Sequence, residues 1–284
     1  MLKLYNEVNK RNITYQTPLA YFFDEKFVDG VSINDGRWGK MKPFTMAAEA
    51  QRMIALCGVP YDMFELEDIY DLDLSKYKVL YFQNAWRKNP KLARFLQEKV
   101  YPAGKTVVWL YAPGYGQQGG LNGMKELTGF DFDLMPEGTA LYFKSNSGVN
   151  AGIPGMNNCE AFTVKGKVNV LGRYPNGRIA AAWKNIKRGR SVWLSSYDKS
   201  GSLMRDVLKK SGVQPLIDRA DRVVFDGEFV GIFAVDAPGK RTVTLPGNSF
   251  TQVYDVIEEK VIEGSGNSFT FDALPGDIKL FRIK

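Results

Sequence analysis

Polar and aromatic side chains follow several predicted strands of this chain, at the points where those strands end. Asp24 and Glu25 follow one apolar run, and Asn84 and Trp86 follow another. Because parallel strands place their carboxyl ends at one edge of a sheet, we expect these side chains to rim a common crevice. Hydrogen-bonding groups beside aromatic rings are typical of a sugar site. The ligand-binding candidates are Asp24, Glu25, Asn84, Trp86, Tyr111 and Tyr115.

The turn Tyr111-Ala112-Pro113-Gly114-Tyr115-Gly116 has the small-residue spacing of a nucleophile elbow. Such an elbow is a strained strand-to-helix turn that holds a catalytic Ser or Cys above the sheet. Here the central residue is Gly114, which has no side chain to attack a substrate. The 284-residue chain also contains no histidine, so neither a Ser-His-Asp nor a Cys-His triad can form. We interpret the turn as structural or ligand-binding, with Gly114 at a vacant nucleophile position and no catalytic residue.

The strand-end carboxylates have a second interpretation, which is purely structural. Carboxylates at such positions often cap loops or pair with nearby cations, and Arg37 and Lys40 are close in sequence. A glycosidase needs two carboxyl groups that face each other across the substrate. Asp24 and Glu25 are adjacent in sequence rather than opposed, so they are a poor catalytic pair.

The composition also argues against metal and cofactor sites. Without histidine, and with only Cys57 and Cys159, the chain lacks the ligands of the usual zinc and iron–sulfur centres. Both cysteines lie in stretches that predict buried, inert thiols. Residues Gly114–Gly119 match G-x-G-x-x-G, but the match follows a late strand and lacks the acidic residue of a dinucleotide site. We therefore predict neither a metal nor a cofactor.

The elements that position these residues form a strand–helix–strand series. Val79–Phe82 and Thr106–Tyr111 are continuous apolar runs, as in parallel strands buried on both faces. Between them, Asn89 is a good helix N-cap and Pro90 suits the first helical position of a helix that reaches Val100. Further segments extend the series: strands at Leu19–Asp24 and Pro60–Leu66, and between them a helix that starts near Thr45 and ends at Gly58. This order predicts an α/β fold with a flavodoxin-like parallel sheet.

The second half of the chain changes to short strands. From Thr139 to Ser196 the pattern predicts β-hairpins added to the parallel sheet, one of them turning at Tyr174–Gly177. Beyond Asp221 only strands separated by Gly and Pro turns are predicted, including one over Gln252–Ile262, which indicates a small antiparallel β-sandwich. The predicted organisation is a linker in residues 1–16 with a helix at Leu2–Arg11, an α/β domain in residues 17–216 and a β-sandwich in residues 219–284.

Charge and hydropathy limit the partners. The net charge is +7, and the densest basic cluster surrounds a predicted hairpin turn at Lys184, Lys187, Arg188 and Arg190. Because no ladder of stacking aromatic residues accompanies these charges, we interpret them as a solvated turn and predict no nucleic-acid partner. No apolar run approaches the ~20 residues that cross a bilayer, and the N-terminus lacks the apolar core of a signal peptide. The sequence as given predicts a cytoplasmic protein with no membrane partner.

Several segments resemble the domain that follows the catalytic barrel in glycoside hydrolase family 42 (GH42) β-galactosidases. They are Asp73–Ala85, Gly104–Tyr115 and Leu127–Phe130, and Val170–Tyr174 and Asp221–Val235 resemble the segments that come after that domain in the family. In the family, the domain is similar in fold to class I glutamine amidotransferases and helps to hold a trimer together. The resemblance covers about Thr17 to the C-terminus. It implies an amidotransferase-like α/β domain followed by a small β-domain.

Two departures from the family pattern restrict what the resemblance implies. Amidotransferases carry a cysteine at the elbow that works with a histidine, whereas this chain has Gly114 there and no histidine. Glutamine hydrolysis is therefore not implied. Glycosidases of the family carry their acid and nucleophile on a (β/α)₈ barrel of roughly 250 residues, and the sequence shows no eightfold strand–helix series. We expect a fragment, an excised piece or a stand-alone accessory protein.

Three hypotheses about function follow. The first is a non-catalytic accessory module of a β-galactosidase-like system, which forms a homo-oligomer or binds a catalytic barrel domain. The second is a carbohydrate-binding protein that uses the strand-end crevice. The third is a hydrolase that works without histidine.

Overall fold

A computed structural model of the chain describes residues 14–30, 43–152, 159–247, 250–262 and 264–284. The predicted helix at Leu2–Arg11 lies outside these residues, as do Arg37 and Lys40. The chain divides into two compact units. The first, called here the α/β unit, comprises Pro18–Cys57 and Tyr61–Gln214; the second, called the C-terminal unit, comprises Met1–Thr17, Gly58–Pro60 and Pro215–Lys284.

The α/β unit is built on a mixed sheet. Its parallel strands are β1 (Leu19–Phe23), β2 (Asp62–Glu65), β3 (Val79–Phe82), β4 (Thr106–Leu110) and β11 (Gly189–Leu194). Its antiparallel strands are β6 (Tyr142–Ser145), β7 (Asn150–Gly152), β9 (Asn169–Arg173) and β10 (Ile179–Ile186). The nine strands lie in the order β2-β1-β3-β4-β11-β10-β9-β6-β7. Two further strands, β5 (Asp131–Leu134) and β8 (Phe162–Lys165), form a separate antiparallel pair.

The central strands are buried on both faces, as their continuous apolar sequences predict. One face carries a row of stacked rings that crosses three strands. Phe22 stacks on Phe82 at 5.1 Å between ring centroids, and Phe82 stacks on Trp109 at 4.7 Å. These cross-strand ring pairs fix the register of β1, β3 and β4.

The helices of the α/β unit are α1 (Pro43–Ala55), α2 (Pro90–Phe95), α3 (Gly120–Thr128) and α4 (Ser202–Lys210), and short 3₁₀ segments lie at Glu25–Gly30 and Leu66–Tyr70. The predicted cap of α2 is present, since the Asn89 Oδ1 atom accepts a hydrogen bond of 2.9 Å from the Leu92 amide. The predicted single helix to Val100 is wrong in one respect. Its last turn, Leu96–Val100, is π-helical, with the wider hydrogen-bond spacing that often marks an inserted residue.

The C-terminal unit contains two antiparallel sheets. One sheet has the order β12 (Arg222–Phe225), β13 (Phe229–Phe233), β19 (Ile278–Ile283), β15 (Val253–Asp255) and β16 (Lys260–Ile262). The other has the order β14 (Gly239–Thr244), β18 (Ser268–Ala273) and β17 (Gly264–Ser265). Both sheets contribute side chains to one hydrophobic cluster, including Val230, Phe281, Val243 and Phe269.

The single strand predicted over Gln252–Ile262 is wrong, because the chain turns within it. The Asp255 Oδ1 atom accepts hydrogen bonds of 3.0 Å from the amides of Ile257 and Glu258. This Asx-type turn reverses the chain between β15 and β16. The sequence pattern missed the turn because it contains neither Gly nor Pro.

A buried ion pair lies in the core of the C-terminal unit. Asp221 and Arg241 are both fully buried, and the Arg241 Nε atom lies 3.0 Å from the Asp221 Oδ2 atom. The Asp221 Oδ1 atom also accepts hydrogen bonds from the amides of Val235 and Asp236. The remaining Arg241 N–H groups donate to the carbonyls of Gly239, Asp236 and Ala273. Because both charges are hydrogen-bonded, their burial is tolerated.

Candidate functional site

The carboxyl ends of β1 and β3 are joined by a hydrogen-bonded network around Asp24. The Asp24 carboxylate accepts hydrogen bonds of 2.9 Å from both Nε and Nη2 of Arg87. The Asn84 side chain accepts from the Asp24 amide at 2.8 Å and donates to the Asp24 carbonyl at 3.0 Å. Asp24 is only 4% exposed and Asn84 is fully buried. Both residues therefore hold the strand-end loops together, and their polar atoms already have protein partners.

Asp24 has a cation as its partner, as one interpretation of the sequence expected, but that cation is Arg87. The bidentate geometry matches the planar guanidinium to both carboxylate oxygens. Arg87 lies 63 positions away in sequence from Asp24. No local pattern could have predicted this pair, because it depends on the parallel pairing of β1 with β3.

The turn after β4 is bound to the loop after β3 by backbone hydrogen bonds. The Gly114 amide donates to the Ala85 carbonyl at 2.8 Å, and the Gly116 amide donates to the Trp86 carbonyl at 2.7 Å. Gly114 has a φ of +76°, and a Cβ atom at this position would lie 2.6 Å from the carbonyl oxygen of Gly123 in α3. The turn therefore requires glycine both for its conformation and for its close contact with α3.

The residue directly after β4 is Tyr111, which has a φ of +64°. This left-handed conformation costs a residue with a Cβ atom about 1–2 kcal/mol. A nucleophile elbow holds its strained residue directly after the strand, so in the structure Tyr111, rather than Gly114 as the sequence spacing suggested, has the position of that residue. The phenol is buried and donates a hydrogen bond of 2.7 Å to the Glu160 carbonyl, and burial raises the pKa of Tyr111 well above its ordinary value. The Tyr111 phenol therefore stays protonated at neutral pH.

The aromatic candidates differ in exposure. Trp86 is 1% exposed, and its ring packs edge-on against Phe27 at 5.6 Å and Tyr111 at 5.8 Å. Its Nε1 atom donates a hydrogen bond to the Leu110 carbonyl. Tyr115 is partly exposed and packs against Phe162 with 4.9 Å between ring centroids. Of the three predicted aromatic residues, Tyr115 alone presents part of its ring to solvent.

Glu25, the remaining candidate, is exposed, as is Glu65, the last residue of β2. Hydrogen bonding to the Glu25 carboxyl group, then burial and the charge of Glu25, raise the pKa of Glu65 above its ordinary value. Sequence reasoning missed this carboxyl pair because it depends on the pairing of β1 with β2.

The end of β11 carries a polar segment that sequence reasoning did not single out. Asp198 is buried and accepts hydrogen bonds from Ser200 Oγ and from the amides of Ser202 and Leu203 at the start of α4. Burial raises the pKa of Asp198 despite these bonds. The neighbouring Tyr197 hydroxyl is also buried, with no hydrogen-bond partner within the described residues. The segment serves chiefly to cap α4.

The two cysteines of the chain, Cys57 and Cys159, are both buried. Burial raises the pKa of the Cys159 thiol to about 11, so the thiolate form is scarce at neutral pH. Within the described residues, no group of three or more acidic, histidine or cysteine side chains has the arrangement of a metal site.

The basic hairpin between β10 and β11 binds the ends of helices. Lys184 donates to the carbonyl of Gly129 just after α3, and Lys187 donates to the carbonyl of Gln97 in the π-helical turn. Arg190 donates to the carbonyl of Lys210 at the end of α4 at 2.7 Å. Cations at helix C-termini satisfy free carbonyls and oppose the helix dipole. The basic side chains of this hairpin, predicted to be solvated, are therefore hydrogen-bonded to carbonyl groups of helices.

In the described part of the chain, no helix combines the length and apolar character needed to cross a membrane.

Comparison with known proteins relates the fold to glycoside hydrolases. No family model matches the sequence, and no curated protein matches it. Among solved structures, β-galactosidase from Bacillus circulans sp. alkalophilus has 16% sequence identity and a TM-score of 0.68, over 95% of this chain. A catalytic mutant of a GH42 β-galactosidase from G. stearothermophilus has the same identity and TM-score over 100% of this chain. The α-L-fucosidase isoenzyme 2 from Paenibacillus thiaminolyticus has 15% identity and a TM-score of 0.53.

The likeness is to part of each enzyme. This chain spans 42% of each of the two β-galactosidases and 48% of the fucosidase. The predicted resemblance to part of the GH42 β-galactosidases is therefore confirmed at the level of the fold.

Proposed function

We propose that this chain is a non-catalytic accessory or oligomerisation module of a β-galactosidase-like glycoside hydrolase. One observation carries the proposal: nearly the whole chain shares its fold with 42% of the length of GH42 β-galactosidases. At this level of identity the likeness concerns the fold, so the role is our inference.

The finer description of the fold belongs to the same proposal. The parallel strands follow the order β2-β1-β3-β4-β11, the order of flavodoxin-like sheets, which supports an amidotransferase-like domain in residues 17–216. The shared hydrophobic cluster between the two antiparallel sheets supports a small β-sandwich in residues 219–284. In this proposal the α/β domain corresponds to the trimerisation domain of the GH42 family.

The chemistry of the strand ends supports a module without its own activity. The position of Gly114 excludes any side chain, and the Tyr111 phenol and the Cys159 thiol are buried with raised pKa values. The chain also has no histidine to activate a nucleophile. These groups therefore offer neither a triad nor an activated thiol.

Two measurements on the purified protein test this proposal. We expect no hydrolysis of chromogenic galactosides above the level of a mock preparation. We also expect assembly, either as copies of the chain or with a protein that carries a catalytic barrel. Hydrolysis that survives repurification would contradict the first expectation. Strict monomers that bind no barrel-bearing partner would contradict the second.

A carbohydrate-binding role is a second proposal, and the partial exposure of Tyr115 favours it. A sugar would stack on this ring, with the exposed Glu25 as a candidate hydrogen-bonding group. In titration calorimetry with galactosides and oligosaccharides, we expect heat from the wild type and none from Tyr115→Ala. The control is Tyr142→Ala, which removes another partly exposed tyrosine of the same unit. Equal heats from both variants would remove Tyr115 from the site.

A further inference from the structure

Two asparagines of this chain are followed directly by glycine, and the structure gives the two pairs different surroundings. Asn176-Gly177 lies in the turn between β9 and β10, whereas Asn122-Gly123 lies inside helix α3. Asparagine before glycine is open to spontaneous deamidation, because glycine has no Cβ atom to shield the backbone nitrogen that attacks the side chain. The surroundings of each pair therefore decide how readily it reacts.

The Asn176-Gly177 pair is exposed and has room to move. Both residues are exposed, and no atom lies within 4 Å of a Cβ atom placed on Gly177. Gly177 has a φ of +82°, and its amide donates a hydrogen bond of 2.9 Å to the Tyr174 carbonyl. Because this bond belongs to an exposed turn, a local opening of the turn frees the Gly177 nitrogen.

The side chain of Asn176 already has a donor at its carbonyl oxygen. The Asn176 Oδ1 atom accepts a hydrogen bond of 3.1 Å from the Arg178 amide. When a nucleophile attacks the Cγ atom of an amide, negative charge develops on this oxygen, and an N–H donor stabilises that charge. The Nη1 atom of Arg173 donates to the Gly177 carbonyl at 2.7 Å, which adds a positive charge beside the reacting groups.

The Asn122-Gly123 pair has less freedom. Gly123 is buried, and its amide donates a helical hydrogen bond of 2.8 Å to the Gly119 carbonyl. A Cβ atom on Gly123 would overlap the Gly114 carbonyl oxygen, so the backbone of α3 packs directly on the turn after β4. The Gly123 nitrogen is therefore freed only when helix α3 opens and leaves this contact.

We propose that Asn176 is a site of spontaneous covalent modification, at which aspartate and isoaspartate form much faster than at Asn122. The Gly177 nitrogen loses its proton to water or hydroxide and attacks the Asn176 Cγ atom. The N–Cγ bond forms and the Cγ–Nδ2 bond breaks, and the Nδ2 group takes up a proton and leaves as ammonia. Water then opens the succinimide, at Cγ to give aspartate or at the main-chain carbonyl to give isoaspartate. The site is independent of the assembly role proposed above.

Isoaspartate changes this turn more than aspartate does. Its main chain runs through the side-chain carbons, so the backbone between Tyr174 and Arg178 becomes one atom longer. The Tyr174 amide donates to the Arg178 carbonyl at 2.9 Å, and the buried Tyr174 hydroxyl donates to the Phe162 carbonyl at 2.9 Å. Because a longer turn strains these bonds, the isoaspartate form should have a lower melting temperature than the unmodified protein.

Peptide mapping by mass spectrometry tests the proposal on the full chain, incubated at mildly alkaline pH either folded or in urea. In urea the two pairs should deamidate at similar rates, because each has the same glycine neighbour and neither has its folded surroundings. In the folded chain Asn176 should react at least ~10-fold faster than Asn122, because the turn opens more readily than the packed helix.

Two matched variants identify the modified residue. Asn176→Ser should abolish the acidic form that ion-exchange chromatography separates after incubation, whereas Asn122→Ser, a change at another exposed position, should retain it. Equal rates at the two pairs in the folded chain would overturn the proposal, as would an acidic form that persists in Asn176→Ser. So would a folded chain in which Asn176 stays intact over many times the period that converts it in urea.

Discussion

Gly114 gives the sharpest test of how the turn after β4 is built. In Gly114→Ala the new residue must adopt a φ of +76°, and its Cβ atom would lie 2.6 Å from the Gly123 carbonyl oxygen and 2.9 Å from the Leu127 Cδ1 atom. The left-handed backbone costs about 1–2 kcal/mol. The steric clash adds a further ~1–3 kcal/mol, because backbone atoms of α3 would have to move. We expect a total loss of about 2–5 kcal/mol in the free energy of unfolding.

The chain provides a matched control for the backbone term. Gly212 has a φ of +74°, but no atom lies within 4 Å of a Cβ placed there. Gly212→Ala should therefore lose only the ~1–2 kcal/mol of the left-handed conformation. Urea unfolding followed by tryptophan fluorescence measures both variants, since Trp86 and Trp109 lie in the α/β unit near the turn. Equal losses in the two variants would refute the steric account of Gly114.

Three further predictions concern ion pairs. In the buried pair of the C-terminal unit, Asp221→Ala should cost about 3–5 kcal/mol, because it leaves the Arg241 guanidinium buried without its partner. The double variant Asp221→Ala with Arg241→Met should lose less free energy of unfolding than the two single variants lose in sum, as measured by urea unfolding followed by circular dichroism. Additive losses would contradict the coupling of the two residues. At the strand ends, Arg87→Lys should lower the melting temperature, because a lysine ammonium cannot bind both Asp24 carboxylate oxygens in the bidentate geometry. An unchanged melting temperature would show that the bidentate pair does not stabilise the fold. On the surface, contacts with Lys260 and then Lys279 lower the pKa of Glu258 from 4.5 to about 2. This lowered pKa stabilises the folded state above pH 4.5, and the stabilisation disappears as the pH falls toward 2. The melting temperature of Glu258→Gln should therefore lie below that of the wild type at pH 6 and meet it near pH 2; a constant gap between the two would contradict the assignment.

Much of the parallel sheet could be predicted from the sequence because its signals are local. The apolar runs of β3 and β4, the Asn89 cap and Pro90 each report on neighbouring residues only, and the structure places all of them as predicted. Helix α3 was not predicted as a separate element. Its sequence, Gly120–Thr128, starts with glycine and has no N-cap side chain, so the usual start signal is absent.

The candidate site was less predictable because its contacts are long-range. Asp24 and Asn84, which follow two different predicted strands, are hydrogen-bonded to each other in the structure. No local sequence pattern indicates the ion pair of Asp24 with Arg87 or the burial that accompanies it. The left-handed conformation of Tyr111 was equally hidden, since tyrosine has no preference for it.

The likeness of this chain to glycoside hydrolases concerns the fold and does not by itself bring a catalytic function to the chain. The shared fold covers 42% of each β-galactosidase, and the strand-end turn of this chain is filled by packing contacts rather than by reactive groups. The accessory module that we propose would contribute through what it binds. Assembly is therefore the property on which the proposed function depends.

The most direct test of this claim is the molar mass of the purified chain in solution. Sedimentation equilibrium measures this mass for the chain by itself and for the chain mixed with a barrel-bearing glycoside hydrolase partner. The account predicts a mass above that of the monomer in at least one of the two samples at concentrations up to a few hundred micromolar. A strictly monomeric protein in both samples would contradict it.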